Sequence, residues 1–285
     1  MGMRYPCIHK WMHTHVRVKW MVAGAIALAF FSSSASAGPI SVQYPEGASR
    51  GFLVLRDLNG KALASGEERQ TVKGSRVISR LTFRFRDGSL DDETTVFTQR
   101  ANFQLISDHH IQRGPSYPHS LDMTVDAVAG TVTMRSEDGD KQKIETTHMD
   151  LPSDLSNGLL LTILKNLRSG QEKTEVSMIV PSSKPRVVKV AISPEEEERC
   201  FIAGSGFRAE RYLVKIELGG LTKVAAAVMD KTPADAHVWR IEGEPPTTLR
   251  TEAQLYENGP IWRIETAAPS WERTSQSAQK TSLPK

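Results

Sequence analysis

The sequence predicts a mainly β fold: a large curved antiparallel sheet or incomplete β-barrel, built as a meander, with an amphipathic helix on its concave face. Two observations support this class. Short segments of alternating polarity, separated by turn signals, follow one another along most of the chain. At about residues 153–168 the period changes to that of a helix. Since a meander of more than ten strands must curl or close, we expect the helix to pack inside the curve.

The first 37 residues have the pattern of a secretory signal peptide. Four basic residues precede the apolar stretch MVAGAIALAFF (21–31), and an Ala-x-Ala cleavage signal ends at Ala37. The apolar stretch is shorter than the roughly 20 residues that span a bilayer. We therefore expect cleavage after Ala37 and a periplasmic or secreted protein.

Cleavage would leave a nearly neutral chain that has no disulfide. The leader removes four basic residues and no acidic ones, so 32 basic and 33 acidic residues remain. This balance argues against nucleic-acid binding. Cys7 leaves with the leader, so Cys200 has no cysteine partner. We expect one β-rich domain over residues 38–271 and a disordered polar tail over 272–285.

The strand pattern is clearest in SRVISRLTFRFRDGS. Its leucine and phenylalanines alternate with arginines, which predicts a half-buried strand that ends in an Asp-Gly turn at 87–88. The earlier segment GFLVLRDLNGKALASGEERQ predicts a hairpin around the Asn-Gly pair at 59–60. Similar segments continue, and we expect about eight strands before residue 150.

The segment SDLSNGLLLTILKNLRSG predicts the amphipathic helix at about 153–168. Leucine or isoleucine recurs every four residues, and two further leucines widen the apolar stripe. Ser153 is the expected N-cap, Asp154 complements the positive start of the helix, and Gly170 can close it in the left-handed conformation. The stripe is wide enough to require a partner surface.

After this helix the β pattern resumes, with one interruption. LTKVAAAVMDK predicts a short second helix at about 221–230. SPEEEER (193–199) predicts a solvent-exposed turn. The Gly-Ser-Gly stretch at 204–206 predicts a hairpin loop, because it lacks the spacing of a nucleophile elbow.

No motif predicts catalysis, a metal site or a cofactor. His109 and His110 are adjacent in a predicted strand, so their side chains point to opposite faces and cannot chelate one metal together. Asp91, Asp92 and Glu93 offer carboxylates on both faces of a strand, and a glycosidase needs two that flank its bond. Three acids beside a turn are more commonly a solvated strand end. Cys200 has no local His motif, which favours a structural role over a nucleophilic one.

Apolar side chains give a stronger indication of function. Aromatic residues on strands far apart in sequence would face the helix stripe and either fill a core or line a cavity for an acyl chain or another apolar ligand. Both alternatives remain open at this point. The candidate cavity residues are Phe83, Phe85, Leu159, Ile163, Leu164, Leu167, Trp239 and Trp262.

The order of the elements resembles a group of bacterial periplasmic proteins whose fold is similar to that of the lipoprotein-localisation carriers. The resemblance spans residues 45–267 and rests on phrases such as DGSLDDETTVF, DLPSDLSNGLLLTILKNL and VKIELGG. It implies an incomplete β-barrel with helices on its concave face, and a role in handling a hydrophobic ligand or a lipoprotein. No binding residue of the carriers matches a position here. Gly38 also stands where a lipoprotein receptor would carry its lipid-attachment cysteine.

We therefore expect an exported, non-catalytic protein that shelters a lipid, an acyl chain or part of a lipoprotein. No nucleic acid, cofactor or transmembrane segment is expected. The alternative is an envelope adaptor that binds another protein through its sheet edge or its outer face. A hydrolase that uses Asp91, Glu93 or a histidine is the third hypothesis.

Overall fold

The structure is a computed structural model, and it describes residues 38–138, 141–181, 184–202, 205–217 and 233–267. Three predictions lie outside these residues: the signal peptide over 1–37, the short helix at about 221–230 and the polar tail over 272–285.

The described residues contain fourteen strands and one helix. In chain order they are β1 (Ser49–Arg56), β2 (Ala62–Lys73), β3 (Arg76–Phe85), β4 (Leu90–Gln99), β5 (Phe103–Arg113), β6 (Leu121–Asp126), β7 (Thr131–Asp138), β8 (Lys141–His148), α1 (Leu160–Asn166), β9 (Thr174–Val180), β10 (Arg186–Ile202), β11 (Ser205–Glu217), β12 (Ala236–Ile241), β13 (Thr247–Gln254) and β14 (Ile261–Thr266). Among the described residues, no helix has the length and apolar character needed to cross a membrane.

All fourteen strands belong to one antiparallel sheet. Its order is β8-β7-β6-β5-β4-β3-β2-β1-β14-β13-β12-β11-β10-β9. The first and last strands therefore pair in the middle, and a meander runs outward from each. β8 and β9 form the two edges, so the sheet is not closed. This arrangement confirms the predicted fold class and the eight strands expected before residue 150.

The sheet curls around α1. One continuous core contains Val125 and Val132 from β6 and β7, near one edge, and Val176 and Ile179 from β9, at the other edge. Four residues of the helical stripe lie in this same core. Side chains from the two ends of a fourteen-stranded sheet can share one core only if the sheet bends back on itself. We call the surface that α1 covers the helix face.

The predicted turns and the alternation of β3 are confirmed. Gly60 and Gly88 have positive φ angles of 88° and 89°, as Asn-Gly and Asp-Gly turns require. Phe83 and Phe85 on β3 are buried, whereas the arginines between and after them are exposed. The alternation in the sequence therefore predicted correctly which side of β3 is buried and which is exposed.

The prediction of a helix over 153–168 was wrong at its start. α1 begins only at Leu160, its N-cap is Leu159, and that cap makes no side-chain hydrogen bond. Ser153 is therefore not the cap, and Asp154 does not lie at the helix start. Gly170 does have a positive φ of 77°, but the helix has already ended at Asn166.

The residues before α1 pair with β9 instead of forming a helical turn. The Ser156 amide donates to the Ser177 carbonyl at 2.8 Å. The Asn157 side chain accepts from the Ile179 amide at 2.8 Å and donates to its carbonyl at 3.0 Å. The pairing continues β9's hydrogen-bonding pattern at the sheet edge, where backbone groups would otherwise lack partners.

The prediction of a solvent-exposed turn at SPEEEER (193–199) was also wrong. β10 runs through this segment as a strand, with a bulge between Pro194 and Glu197 that accommodates the proline. The acidic side chains are paired across the strands: Glu197 accepts from Arg208, and Glu198 accepts from Arg211. Cross-strand pairs with opposite charges stabilise a strand that the acidic run alone would not predict.

Candidate functional site

The apolar stripe of α1 is buried against the helix face. The exposed fractions of Leu159, Ile163, Leu164 and Leu167 are 1%, 2%, 0% and 6%. All four belong to the core that joins the two edges of the sheet. The sequence therefore placed these four candidate residues correctly on the covered side of the helix.

A buried arginine holds the end of α1. Arg240 on β12 is 2% exposed, and its Nη1 donates to the carbonyls of Leu164 and Leu167 at 2.8 and 2.9 Å. Its Nη2 donates to the Glu210 carboxylate at 2.7 Å, and its guanidinium lies 4.8 Å from the ring centroid of Tyr212. A cation at this place satisfies carbonyls that the helix leaves unpaired.

Sequence reasoning missed Arg240, although a signal exists. In the segment AHVWRIE, Val238 is buried in the main core, so the alternation of a strand directs residue 240 to the same face. A charged residue at such an inward position indicates a buried polar partner. That partner is the end of α1, which the sequence pattern alone does not identify.

Two further polar contacts join α1 to the segment that precedes β1. The Asn166 side-chain oxygen accepts from the Gln43 and Tyr44 amides at 2.8 and 2.7 Å. Lys165 donates to both oxygens of Glu46 at 2.9 Å. The helix is therefore held by an apolar stripe and by polar contacts that are concentrated near its C-terminal end.

The predicted aromatic residues do not surround α1. Phe83, Phe85 and Trp262 form a second core with Tyr117, apart from the core that contains the helix. Within it, the Phe85 ring lies 5.6 Å from the Tyr117 ring and 5.4 Å from the Trp262 ring, centroid to centroid. The expectation that these residues face the helical stripe was therefore wrong.

Trp239 lies on the opposite face of the sheet. It packs with Cys200 and Ala209 in a third, small core, and its indole nitrogen donates to Glu198 at 3.0 Å. Its neighbour Val238 occupies the helix face, so the alternation of β12 turns Trp239 away from α1. The sequence indicated an aromatic strand here but not which side the tryptophan would take.

Polar side chains separate the two large cores on the helix face. Cross-strand partners place Leu81, Glu93 and His110 in one row, with Phe83, Asp91 and Gln112 in the next. On the other side of the first row lie Ser79, Thr95 and Asp108. We call Asp91, Glu93, Thr95, Asp108, His110 and Gln112 the polar belt.

Asp91 is the most heavily hydrogen-bonded member of the polar belt. Its side chain is 8% exposed and accepts from His110 at 3.0 Å, from Gln112 at 2.9 Å and from the Tyr117 hydroxyl at 2.9 Å. Gln112 also donates to the Leu255 carbonyl at 2.8 Å. These bonds link β4, β5, the loop after β5 and the segment before β14, so Asp91 has a clear structural role.

Replacing Tyr117 by phenylalanine tests this role. The substitution removes one donor to a buried carboxylate and keeps the aromatic ring, so we expect a loss of about 1.5–3 kcal/mol in the free energy of unfolding. Tyr256→Phe is the matched control, because Tyr256 packs on the same ring but its hydroxyl makes no hydrogen bond within the described residues. Chemical denaturation should show a change of less than about 0.5 kcal/mol for the control. Equal losses in the two variants would contradict the role given to Asp91.

Burial and the neighbouring charges shift the pKa values of the titratable side chains in the polar belt. Burial raises the pKa of Glu93, and burial together with the charge of Glu93 raises the pKa of Asp108 to about 7. Burial alone would lower the pKa of His110, but its hydrogen bond to Asp91 and the surrounding carboxylates raise it to about 9. The pKa of Glu68, which lies on β2 beyond β3, is raised by burial and by Glu46.

Only part of this arrangement was predictable from the sequence. The sequence predicted that His109 and His110 point to opposite faces, and they do: His109 contacts Asp122, whereas His110 contacts Asp91. The sequence did not predict that His110 and Asp108 lie close together in a buried site, because it does not show which face of β5 is covered. Among the described residues, no group of three or more His, Cys, Asp or Glu side chains could hold a metal ion.

A separate cleft lies beside the β10–β11 hairpin. Its volume is about 380 Å³, and its lining residues are Glu197, Phe207, Arg208, Glu210, Ile241 and Glu242. Three carboxylates among six lining residues make it acidic. It therefore does not match an apolar ligand.

Comparisons with known proteins give little further information. No protein-family model matches the chain, and no curated protein matches it. Among solved structures, the chain is similar to a beta-barrel-like protein of a domain of unknown function, DUF1849, from Brucella abortus. The alignment has 9% sequence identity and a TM-score of 0.40, and it covers 79% of this chain and 100% of that chain. A likeness at this level carries no argument about function.

Proposed function

We propose that this protein is an exported, non-catalytic carrier that shelters an apolar chain on the helix face of its sheet, with α1 as a displaceable lid. The ligand would be a lipid, an acyl chain or the acylated part of a lipoprotein, as the resemblance to the lipoprotein-localisation carriers also suggests. In the described conformation α1 itself occupies the apolar space, so this would be the closed, ligand-free state.

The burial of the α1 stripe is the observation that carries the proposal. Four aliphatic side chains are buried in the core enclosed by the curled sheet: Ile163 and Leu164 within the seven-residue helix, and Leu159 and Leu167 at its two ends. A helix this short has little stability of its own, because isolated helices below about 12 residues are marginal in water. It is therefore held in place by tertiary contacts, which another apolar molecule could replace.

The free energies of burial indicate how long an acyl chain must be to displace α1. Burying each aliphatic side chain is worth about 1.5–3 kcal/mol, so undocking four of them costs about 6–12 kcal/mol. An acyl chain gains about 0.8 kcal/mol for each buried methylene. Roughly ten methylenes are then required before binding can compete with the lid, which favours long acyl chains over small apolar molecules.

The polar belt gives no support for a catalytic role. The Asp91 carboxylate accepts hydrogen bonds from three donors on different segments, which accounts for its burial by a structural role. Cys200 is buried on the face opposite α1, and burial raises the pKa of its thiol. The hydrolase hypothesis therefore remains the weaker one.

Native mass spectrometry tests the carrier proposal. Residues 38–285 should be purified without detergent from the periplasm of an expressing bacterium, and the bound fraction extracted with organic solvent for lipid analysis. We expect a discrete added mass that disappears on extraction and corresponds to a chain of at least about ten methylenes. A clean apo mass, together with no uptake of added long-chain lipid, would contradict the proposal.

An adaptor function is the second candidate, and the exposed edge strand β8 favours it. Its side chains from Lys143 to Thr147 are exposed, and Ile144 is 57% exposed. An unpaired edge can accept a further strand from a partner. A pull-down that recovers one partner stoichiometrically, and that is abolished by Ile144→Pro, would favour this function over the carrier.

A further inference from the structure

Residues 156–158 lead into α1 and pack directly on the polar belt; we call them the Gly158 segment. Gly158 has a φ of 65°, and a Cβ at this position would lie 1.9 Å from Thr95 Oγ1 and 2.9 Å from Asp108 Oδ1. Such distances are far below van der Waals contact, so the backbone of Gly158 covers these two side chains closely. On its other side the segment is fixed by the bonds between Asn157 and Ile179.

Asp108 is the part of the polar belt that this segment encloses. Its exposed fraction is 1%, and its Oδ1 accepts from the Thr95 hydroxyl at 2.9 Å. Its Oδ2 is buried and has no hydrogen-bond partner among the described residues. A buried oxygen without a partner is an unfavourable place for a full negative charge.

Asp108 lies beside one other carboxylate and two histidines. The groups that act on Asp108 directly are Glu93, His109 and His110. Asp91 acts on His110 and on Tyr117, and Glu68 on β2 interacts with Glu46 and Lys165. The partners of Asp108 on β6 and in the Gly158 segment are uncharged. Deprotonation of Asp108 therefore adds a negative charge beside Glu93, with His110 as the nearby compensating cation.

We propose that the polar belt makes the seating of the Gly158 segment, and with it the closure of α1, dependent on bound protons. The segment packs tightly when Asp108 is uncharged. It loosens when Asp108 is ionised, because Gly158 packs against Oδ1 of this buried carboxylate and lifting it lets water reach the charged group. The coupling between the belt and the segment stands on their contact alone; its meaning for ligand release rests on the proposed function.

The pKa values give the direction of this dependence. The pKa of Asp108 is raised to about 7 in the closed state and would fall toward its ordinary value when opening admits water. The pKa of His110 is raised to about 9 and would fall toward 6.5. In both cases the closed state binds protons more tightly. Closure is therefore fully supported below about pH 4. It weakens up to about pH 7 through Asp108, and between about pH 6.5 and pH 9 through His110.

Amide hydrogen exchange measures this dependence directly. The Ile163 amide donates to the Leu159 carbonyl at 2.9 Å, so its protection factor reports whether α1 remains docked. A protection factor is already corrected for the effect of pH on intrinsic exchange. Between about pH 4.5 and pH 6.5, where Asp108 changes its charge on opening and His110 contributes little, we expect it to fall about tenfold or more, since a pKa change of one unit corresponds to a factor of ten.

Three variants decide whether Asp108 is responsible. Asp108→Asn cannot ionise but still accepts from Thr95, so the fall in protection should shrink to less than about threefold. Glu93→Gln, at a half-buried position, keeps the test available if the first variant does not fold, and should also reduce the fall. Asp122→Asn is the control, because Asp122 pairs with His109 and Arg135 away from the belt, and it should behave as the wild type.

The outcomes separate this inference from the carrier proposal. A wild-type protection factor that does not change with pH, or an equal fall in Asp108→Asn, would overturn the proton coupling. If protection falls as expected but a long-chain fluorescent acyl probe does not bind at any pH, the coupling is supported and the carrier proposal fails. If the probe binds with the same affinity at both pH values and protection is constant, the carrier proposal stands and the coupling fails.

Discussion

Replacing Arg240 by methionine is expected to destabilise the protein by about 3–5 kcal/mol. The substitution keeps most of the apolar stem but leaves the Glu210 carboxylate, which is 14% exposed, without its cation. It also removes both donors to the carbonyls of Leu164 and Leu167 at the end of α1. Chemical denaturation should show the loss, and the α1 amides should exchange faster than the rest of the protein.

Arg211→Met is the matched control for this experiment. Arg211 is the cross-strand partner of Trp239, the residue before Arg240, but its side chain is 30% exposed and its carboxylate partners Glu195 and Glu198 can reach solvent. Partly exposed ion pairs contribute about 1 kcal/mol or less. A loss in Arg240→Met as small as that in the control would contradict the role given to Arg240.

Gly158→Ala is expected to cost about 2–4 kcal/mol and to loosen α1. Two effects add: a side chain in the left-handed region costs about 1 kcal/mol, and overpacking adds about 1–3 kcal/mol. The second effect is large here because the new Cβ would lie 1.9 Å from Thr95 Oγ1. The free energy of unfolding and the protection of the α1 amides should both fall.

Gly74→Ala separates the two effects. Gly74 has a φ of 60°, close to the 65° of Gly158, but a Cβ there would have no atom within 4 Å. The control should therefore lose only the conformational part, about 1 kcal/mol. If both variants lost the same amount, the Gly158 segment would not be tightly seated on the polar belt.

The local pattern of strands was predictable from the sequence because it depends on neighbouring residues. Alternation assigned the two sides of β3, and the Asn-Gly and Asp-Gly pairs fixed two hairpins. The apolar stripe of α1 was also correct, since the leucine spacing after Gly158 is helical. Each of these results needs only a few consecutive residues.

The start of α1 and the orientation of the β12 side chains could not be predicted, because they depend on which strands pair and which face the helix covers. Asn157 pairs with Ile179, so the expected first turns of the helix were replaced by pairing with β9. Trp239 is apolar but turns away from α1, whereas the charged Arg240 turns toward it. An alternating pattern identifies two faces of a strand but not which face the helix will cover.

The polar belt was the least predictable part for the same reason. Asp91 and Glu93 were expected to form a solvated strand end, yet Asp91 is buried on the helix face beneath Tyr117. Because these acids follow a turn closely in the sequence, a solvent-exposed position was expected for them. Only the register between β4 and β5 places them beside Asp108 and His110.

The affinity of Ile163→Ala for a long acyl probe tests the lid most directly. Ile163 lies on the buried side of α1 and is 2% exposed, so its truncation should weaken docking of the helix by about 2–5 kcal/mol. If a ligand must displace the lid, easier displacement gives tighter binding, by about tenfold or more. Leu161→Ala, at a residue that is 41% exposed, should leave the affinity unchanged. An affinity of Ile163→Ala that is equal to or weaker than that of the wild type would contradict the lid.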